Sequence, residues 1–362
     1  MTISDISIGF LQIPLIKPFK TALRSVYTLD VILVKIRTKS GIIGYGETAP
    51  TEAITGESKE SIVKALNHIK SKLIDRDIDD FDTILTILHS SIEKNFSAKS
   101  ALEIALYDIV SQKAKMPLFA YLGGSRQNFK TAITISLNNT EIMVKDSLEA
   151  INNGFESLKI KLGFNYSEDI DRVQAIYDAA GDTVSLKLDA NQGWSPEESV
   201  IFLNAMERKG INIELIEQPV KRDDIKGLRY INDRTHIPIL ADESAFSAED
   251  TRRLLELEAV NLINIKLDKC GGISKALQIA DICKEYNIKC MIGCMLEGAI
   301  SVGAAAHMAS ARDDTITMYD LDAPMLCQSS PVMGGASFHA PNIQLSNDYG
   351  LGITSIQEVG WV

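Results

Sequence analysis

The sequence predicts an α/β protein in which a small α+β domain precedes a parallel barrel of alternating strands and helices. Two observations carry this. From about residue 130, β-rich runs begin near Ile133, Ser157, Val184, Ile213, Ile237, Leu262, Ile288 and Thr315, with successive starts 24 to 29 residues apart. Each of the first seven is followed by a helical stretch, and a period of one strand plus one helix is a supersecondary repeat. Before residue 130 that rhythm is absent. A length of 362 residues suits a barrel with an appended domain.

In the first part, "DVILVKIRT" and "GIIGYGET" read as strands around a turn at Ser40-Gly41. "SAKSALEIALYDIVSQKA" follows with helical periodicity and a serine as cap candidate. In the second part the punctuation agrees with the repeat. Ser195-Pro196-Glu197-Glu198 combines a cap serine, a first-turn proline and a glutamate three after the serine. Gly154, Gly181 and Gly210 stand where helices stop. Eight such strands fit a barrel. The alternative, an open doubly wound sheet, carries a glycine-rich turn after its first strand, and "SLNNTEI" has none. No further unit follows residue 340, and the tail is expected to return to the first domain. The expected division is 1–125, 126–339 and 340–362.

A net charge of −11 argues against nucleic acid as a partner. Five cysteines without a CxxC pair read as reduced core residues, Cys290 and Cys294 included. The opening "MTISDISIGF" lacks the basic start and apolar run of a signal peptide, and no stretch approaches a membrane span. A cytoplasmic setting without membrane contact is expected.

The chemistry concentrates at one level of the predicted barrel. "LKIKLG" places Lys159 and Lys161 on one face of strand two, because strand side chains alternate. Lys161 lies near the end of strand two, Asp189 ends strand three, Glu217 strand four and Asp242 strand five, and Lys266 lies on strand six. Their separations of 28, 28, 25 and 24 residues match the repeat. Barrel active sites collect at the C-terminal ends of the strands, so these five groups are expected around one mouth. Three converging carboxylates suit a hard divalent cation such as Mg²⁺. Strands two and six are diametrically opposed, so Lys161 and Lys266 flank whatever is held between them. Two amines on opposite faces of one carbon suit racemisation or epimerisation next to a carboxylate, provided each pKa is lowered. Lys159, one layer deeper, is expected either to pair with a carboxylate or to depress the pKa of Lys161. Lys187, beneath Asp189, reads as a structural ion pair.

"KIK", "DANQGW", "EQP", "ADES" and "NIKLDKCGG", in this order and spacing, resemble the muconate-lactonising subgroup of the enolase superfamily. The similarity extends over nearly the whole chain. It implies a modified (β/α)₇β barrel with an N-terminal α+β capping domain, Mg²⁺ on Asp189, Glu217 and Asp242, and Lys161 and Lys266 as acid–base pair. It is specific for the subgroup and less so for the reaction.

"YDLDAP" narrows the reaction. Asp320-x-Asp322 resembles the pair with which dipeptide epimerases of this subgroup hold the N-terminal amine; the bland alternative is a loop cap. "KPFKTALRSVY" and "EAITGES" look like the two loops that close such sites. Arg24, in the first, corresponds to the arginine that meets the glutamate side chain in epimerases of L-Ala-D/L-Glu, the other reading being a solvated arginine. Ile54 and Thr55, in the second, are candidates for pocket wall or packing, and Glu297 for the pocket or a surface role. Asp268 is assigned no role; pairing with Lys266 or Lys269, or contact with the amine, are its readings. The resemblance therefore implies Mg²⁺-dependent epimerisation of a small dipeptide at its C-terminal residue, in cell-wall peptide salvage, by an expected homo-oligomer. The alternatives are hydrophobic or cationic dipeptides, o-succinylbenzoate synthase, N-acylamino-acid racemase and muconate cycloisomerase. A metal-binding scaffold without catalysis is the alternative of another class, and a phosphate-binding barrel is disfavoured by the lack of a glycine-rich loop after strands seven and eight.

Overall fold

The computed structural model describes residues 1–357 and 359–362. The chain opens with an antiparallel sheet of β1 (Ile3–Lys20), β2 (Ser25–Thr38) and β3 (Ile43–Thr48), joined on the far side of β1 by Gly360–Trp361. Strand β2 lies at the centre of the sheet, and Val31 to Val34 are all buried. The sequence reading missed β1. Its Pro14 and Pro18 argue against a strand, yet they fall where the pairing with β2 shifts register, between Pro14 and Phe19. Such irregularities are where a sheet tolerates proline.

The helix Phe96–Lys113 packs on this sheet and is buried along most of its length. The expected serine cap is not its start. Asn95 occupies the cap position in a left-handed conformation without a side-chain bond, and Ser97 lies inside the first turn. Glu57 takes over: its two oxygens accept the N–H groups of Phe96 at 2.7 Å and Ser97 at 2.9 Å. A carboxylate also complements the positive end of the helix dipole.

After β4 (Asn128–Lys130), which pairs with Asn342–Gln344, come the barrel strands. These are β5 (Ile133–Ile135), β6 (Ser157–Lys161), β7 (Ser185–Asp189), β8 (Ile213–Glu217), β9 (Ile239–Ala241), β10 (Leu262–Ile265), β11 (Lys289–Gly293) and β12 (Ile316–Asp320). They form one parallel sheet in chain order, and a helix follows each of the first seven. The reading of the fold class holds, including the capping box at Ser195. Closure is sparse. Ala132 N–H donates to Tyr319 O at 3.0 Å, Leu321 N–H to Thr131 Oγ1 at 2.8 Å, and Thr134 N–H to Asp322 Oδ2 at 2.7 Å.

Alternation sorts the barrel residues. Leu158, Ile160, Leu186, Leu188, Ile216, Ile263 and Ile265 are buried in the main apolar core. On the other parity, Leu215, Leu240 and Met291 form a separate apolar cluster inside the barrel. Burying each contributes roughly 1.5–3 kcal/mol.

The two domains complete each other's hydrogen bonding. The barrel helices Ile273–Glu285 and Ala299–Ser310 start from Gly272 and Gly298, neither of which has a capping side chain. The first domain supplies the acceptors. Glu103 Oε1 accepts Ser274 N–H at 2.5 Å, and Glu47 accepts the N–H groups of Gly298 and, at 3.3 Å, Ile300. A Cβ on Gly272 would lie 2.7 Å from Glu103 Cδ, and one on Gly298 2.6 Å from Glu47 Oε1. Glycine alone admits these carboxylates.

Candidate active site

The register pairs three of the predicted groups directly, and the other two stand just past the ends of their strands. Lys161 is the direct partner of Asp189, and Asp189 of Glu217, across β6, β7 and β8. Glu217 pairs with Leu240, so Asp242 stands just beyond the end of β9. Lys266 follows β10, four strands round the barrel from β6. Both lysines open on one cleft, which Lys159, Asp242, Asp320, Asp322, Arg24 and Ile54 also line. The cleft lies between the strand ends and the first domain, whose Phe19 and Ala53 close it from above.

The charges are paired by contact. Lys161 Nζ donates to Asp189 Oδ2 at 2.6 Å, and Lys266 Nζ to Asp242 Oδ2 at 2.8 Å. Lys159 Nζ stands 2.7 Å from Glu217, 2.8 Å from Asp320 and 3.2 Å from Asp189. Lys269 Nζ lies 2.7 Å from Asp242 Oδ1 and donates to Asn264 O at 2.9 Å. Asn264 donates in turn to Glu217 Oε1 at 2.9 Å. Gly293 leaves the room this needs, since a Cβ there would fall 2.7 Å from Asn264 Oδ1 and 3.0 Å from Lys266 Cε.

These contacts set the ionisation. Burial works to lower the Lys159 pKa, but Asp320, Glu217 and Asp189 outweigh it and hold it well above the ordinary lysine value. Lys159 is therefore a paired cation. Lys266 also ends above its ordinary value, because Asp242 and Glu217 overcome burial. This differs from the lowered pKa expected from the sequence, which did not count the neighbouring carboxylates. Burial, followed by the Asp189 charge, pushes Glu217 up to about 7. Asp242 is held far below the carboxylate range despite its burial, by Lys266 and Lys269.

The sequence reading has Asp189, Glu217 and Asp242 converging on a point. Among the described residues no three such groups form a chelating cluster. Ammonium groups stand between them instead. The donor chemistry nevertheless fits a hard cation: all three side chains offer carboxylate oxygens, of which Glu217 Oε2 and Asp242 Oδ1 are ion-paired at 2.7 Å with Lys159 and Lys269 respectively.

On the opposite side of the mouth, Asp320 Oδ2 holds Lys159 while its Oδ1 is buried without a hydrogen-bond partner. Asp322 accepts Thr134 N–H, and burial, then the charge of Asp320, push its carboxyl up to about 6. Arg24 lines the cleft, and burial alone lowers its pKa, with no carboxylate contributing. Lys187 pairs with Glu214 at 2.8 Å, as a structural ion pair should.

Three expectations change. Thr55 does not line the cleft; its hydroxyl donates to Thr51 O at 3.1 Å and accepts Glu57 N–H at 3.2 Å, closing its own loop. Glu297 does not line it either. Its carboxylate folds back onto Met295 N–H and the Ser301 hydroxyl and is neither in the pocket nor on the surface. Asp268 meets neither lysine and accepts from Thr48 and Ala49 of the first domain. The sequence reading gave no site role to Lys269, Asn264, Phe19 or Glu243. Asn264 shares the strand parity of Lys266 and was legible in "NIKLDK". Glu243 is buried with both oxygens unpartnered, and burial followed by the Asp242 charge pushes it up to about 8.

The chain matches known proteins over nearly its whole length. The family model described as mandelate racemase / muconate lactonizing enzyme, N-terminal domain, matches residues 8–123. The enolase C-terminal domain-like model matches residues 143–359. The L-Ala-D/L-Glu epimerase of Clostridium acetobutylicum is 48% identical over 98% of this chain and 99% of its own length. A substrate-liganded complex of the L-Ala-D/L-Glu epimerase from Bacillus subtilis superposes with a TM-score of 0.96 at 41% identity, covering 98% of this chain and 99% of that one. The dipeptide epimerase from Enterococcus faecalis, complexed with Mg and the dipeptide L-Leu-L-Tyr, gives a TM-score of 0.93 at 39% identity, covering 98% of this chain and 100% of that one.

Proposed function

Because the chain belongs to the mandelate racemase / muconate lactonizing enzyme family, we propose that it is a Mg²⁺-dependent dipeptide epimerase. The substrate we assign is L-Ala-D/L-Glu, inverted at the α-carbon of the glutamate. The observation that carries this is the single cleft onto which Lys161 and Lys266 open from opposed strands, together with Asp320, Asp322 and Arg24. The relatives bearing that activity by name, at 48% and 41% identity, support it.

Asp189, Glu217 and Asp242 would hold the ion. When bound, Mg²⁺ supplies positive charge to the substrate carboxylate as the adjacent α-carbon loses its proton. One lysine Nζ, uncharged, takes that proton from one face, and the other, as an ammonium, returns a proton to the opposite face. Lys159 stays charged beneath them and binds Asp320 and the inner carboxylates. Asp320 Oδ1 and Asp322 take the peptide's ammonium group, and Arg24 takes the glutamate side chain. Cell-wall peptide salvage, a cytoplasmic setting and a homo-oligomeric state belong to the same proposal. No helix among the described residues is long and apolar enough to cross a membrane.

Incubation with L-Ala-L-Glu in D₂O tests the reaction. Deuterium is expected at the glutamate α-carbon of the inverted product. Inversion with protium retained there would reject the two-lysine exchange, and no inversion of any dipeptide in a library would reject the activity.

A further inference from the structure

Asp268 stands two residues after Lys266, on the one-turn helix Leu267–Cys270, and is fully buried. It does not line the cleft. Its Oδ2 accepts the Thr48 hydroxyl at 2.7 Å and Ala49 N–H at 3.2 Å, where β3 of the first domain ends. The chain then turns on itself: Ile54 N–H and Thr55 N–H both donate to Thr51 O at 2.9 Å. That turn presents Ala53 and Ile54 to the cleft.

The barrel side of the contact is equally fixed. Lys269 and Cys270 N–H groups donate to Lys266 O at 3.1 and 3.2 Å, so Lys266 is the root of the turn that carries Asp268. The same turn sends Lys269 to Asp242. Lys266 is thus tied to the first domain through Asp268 and to the strand-end carboxylates through Lys269. A lysine's four-carbon stem is flexible, and an ångström of displacement at a reacting group costs rate.

We propose that Asp268 is a positioning residue: by clamping Thr48 and Ala49 it fixes the turn that carries Lys266 and so sets that ammonium against the substrate. The inference rests on the two-lysine reading above. An amide at this position keeps a side-chain oxygen to accept from Thr48 and Ala49. Asp268 Oδ1 makes no hydrogen bond, which leaves Oδ2 as the working acceptor.

The test follows α-proton exchange into unreacted substrate, with L-Ala-L-Glu and L-Ala-D-Glu incubated separately in D₂O. K161A and K266A identify which epimer depends on which lysine. D268A is expected to slow exchange of the Lys266-dependent epimer roughly tenfold and to leave the other epimer within about twofold. D268N keeps the acceptor and is expected to restore the exchange. T48V removes one donor from the opposite side and is expected to shift the same epimer less, and it decides the matter should D268A not fold. Equal loss for both epimers, or no loss in either variant, overturns the role of Asp268. If K161A and K266A do not separate the epimers, the two-lysine reading fails instead.

Discussion

The Arg24 guanidinium reaches the cleft with no carboxylate of its own, a costly state for a partly buried cation unless a ligand supplies the anion. A hydrogen-bonded charge of this kind contributes about 1.5–3 kcal/mol, which corresponds to roughly a tenfold to hundredfold effect on binding. R24M is expected to lower kcat/KM for L-Ala-L-Glu by that factor and to spare L-Ala-L-Leu. An equal loss on both dipeptides would remove the assignment. At Asp322 the relevant variable is pH. Its carboxyl, pushed up to about 6, is ionised above that value and would there attract the ammonium group we assign to it. As pH falls through 6 it protonates, the attraction is lost, and KM is expected to rise. D322N is expected to start from the raised KM and to show no such acid limb, as read from initial rates between pH 5 and 8.

Elements in this chain are finished by residues far from them. The Ser195 capping box is local and was legible in four letters of sequence. The caps at Gly272 and Gly298 were not, because Glu103 and Glu47 lie 171 and 251 residues away along the chain from the groups they accept. Asp268 escaped for the same reason: its partner Thr48 is 220 residues distant. Replacing a capping carboxylate with alanine costs about 0.5–2 kcal/mol. E47A is expected to lower stability to urea by that amount, with E47Q retaining much of it, since the amide keeps an acceptor for the helix. A variant as stable as the parent would show that Glu47 is not the working cap of Ala299–Ser310.

At the scale of the whole molecule, the barrel was legible because its repeat is a physical unit: one strand, one helix, then a return to the same height. That regularity also led to the expectation of Lys161, Asp189, Glu217, Asp242 and Lys266 at equivalent heights; the strand register pairs the first three directly, while Asp242 and Lys266 stand beyond the ends of β9 and β10. What periodicity does not encode is how neighbouring charges share one another. Lys159 was readable as inward-facing, but not as the common partner of Asp189, Glu217 and Asp320. Strand β1 was lost to its prolines, and Thr55 and Glu297 to loops whose side chains turn inward on their own backbone. Long-range carboxylates also decide whether the first domain is a detachable cover. Transplanting the barrel beneath a cover that lacks acids at positions 47 and 103 would carry Gly272 and Gly298 along but leave their partners behind. Hybrids of that design inherit two frayed helix starts, so a workable exchange has to move positions 47, 103, 272 and 298 as one indivisible set.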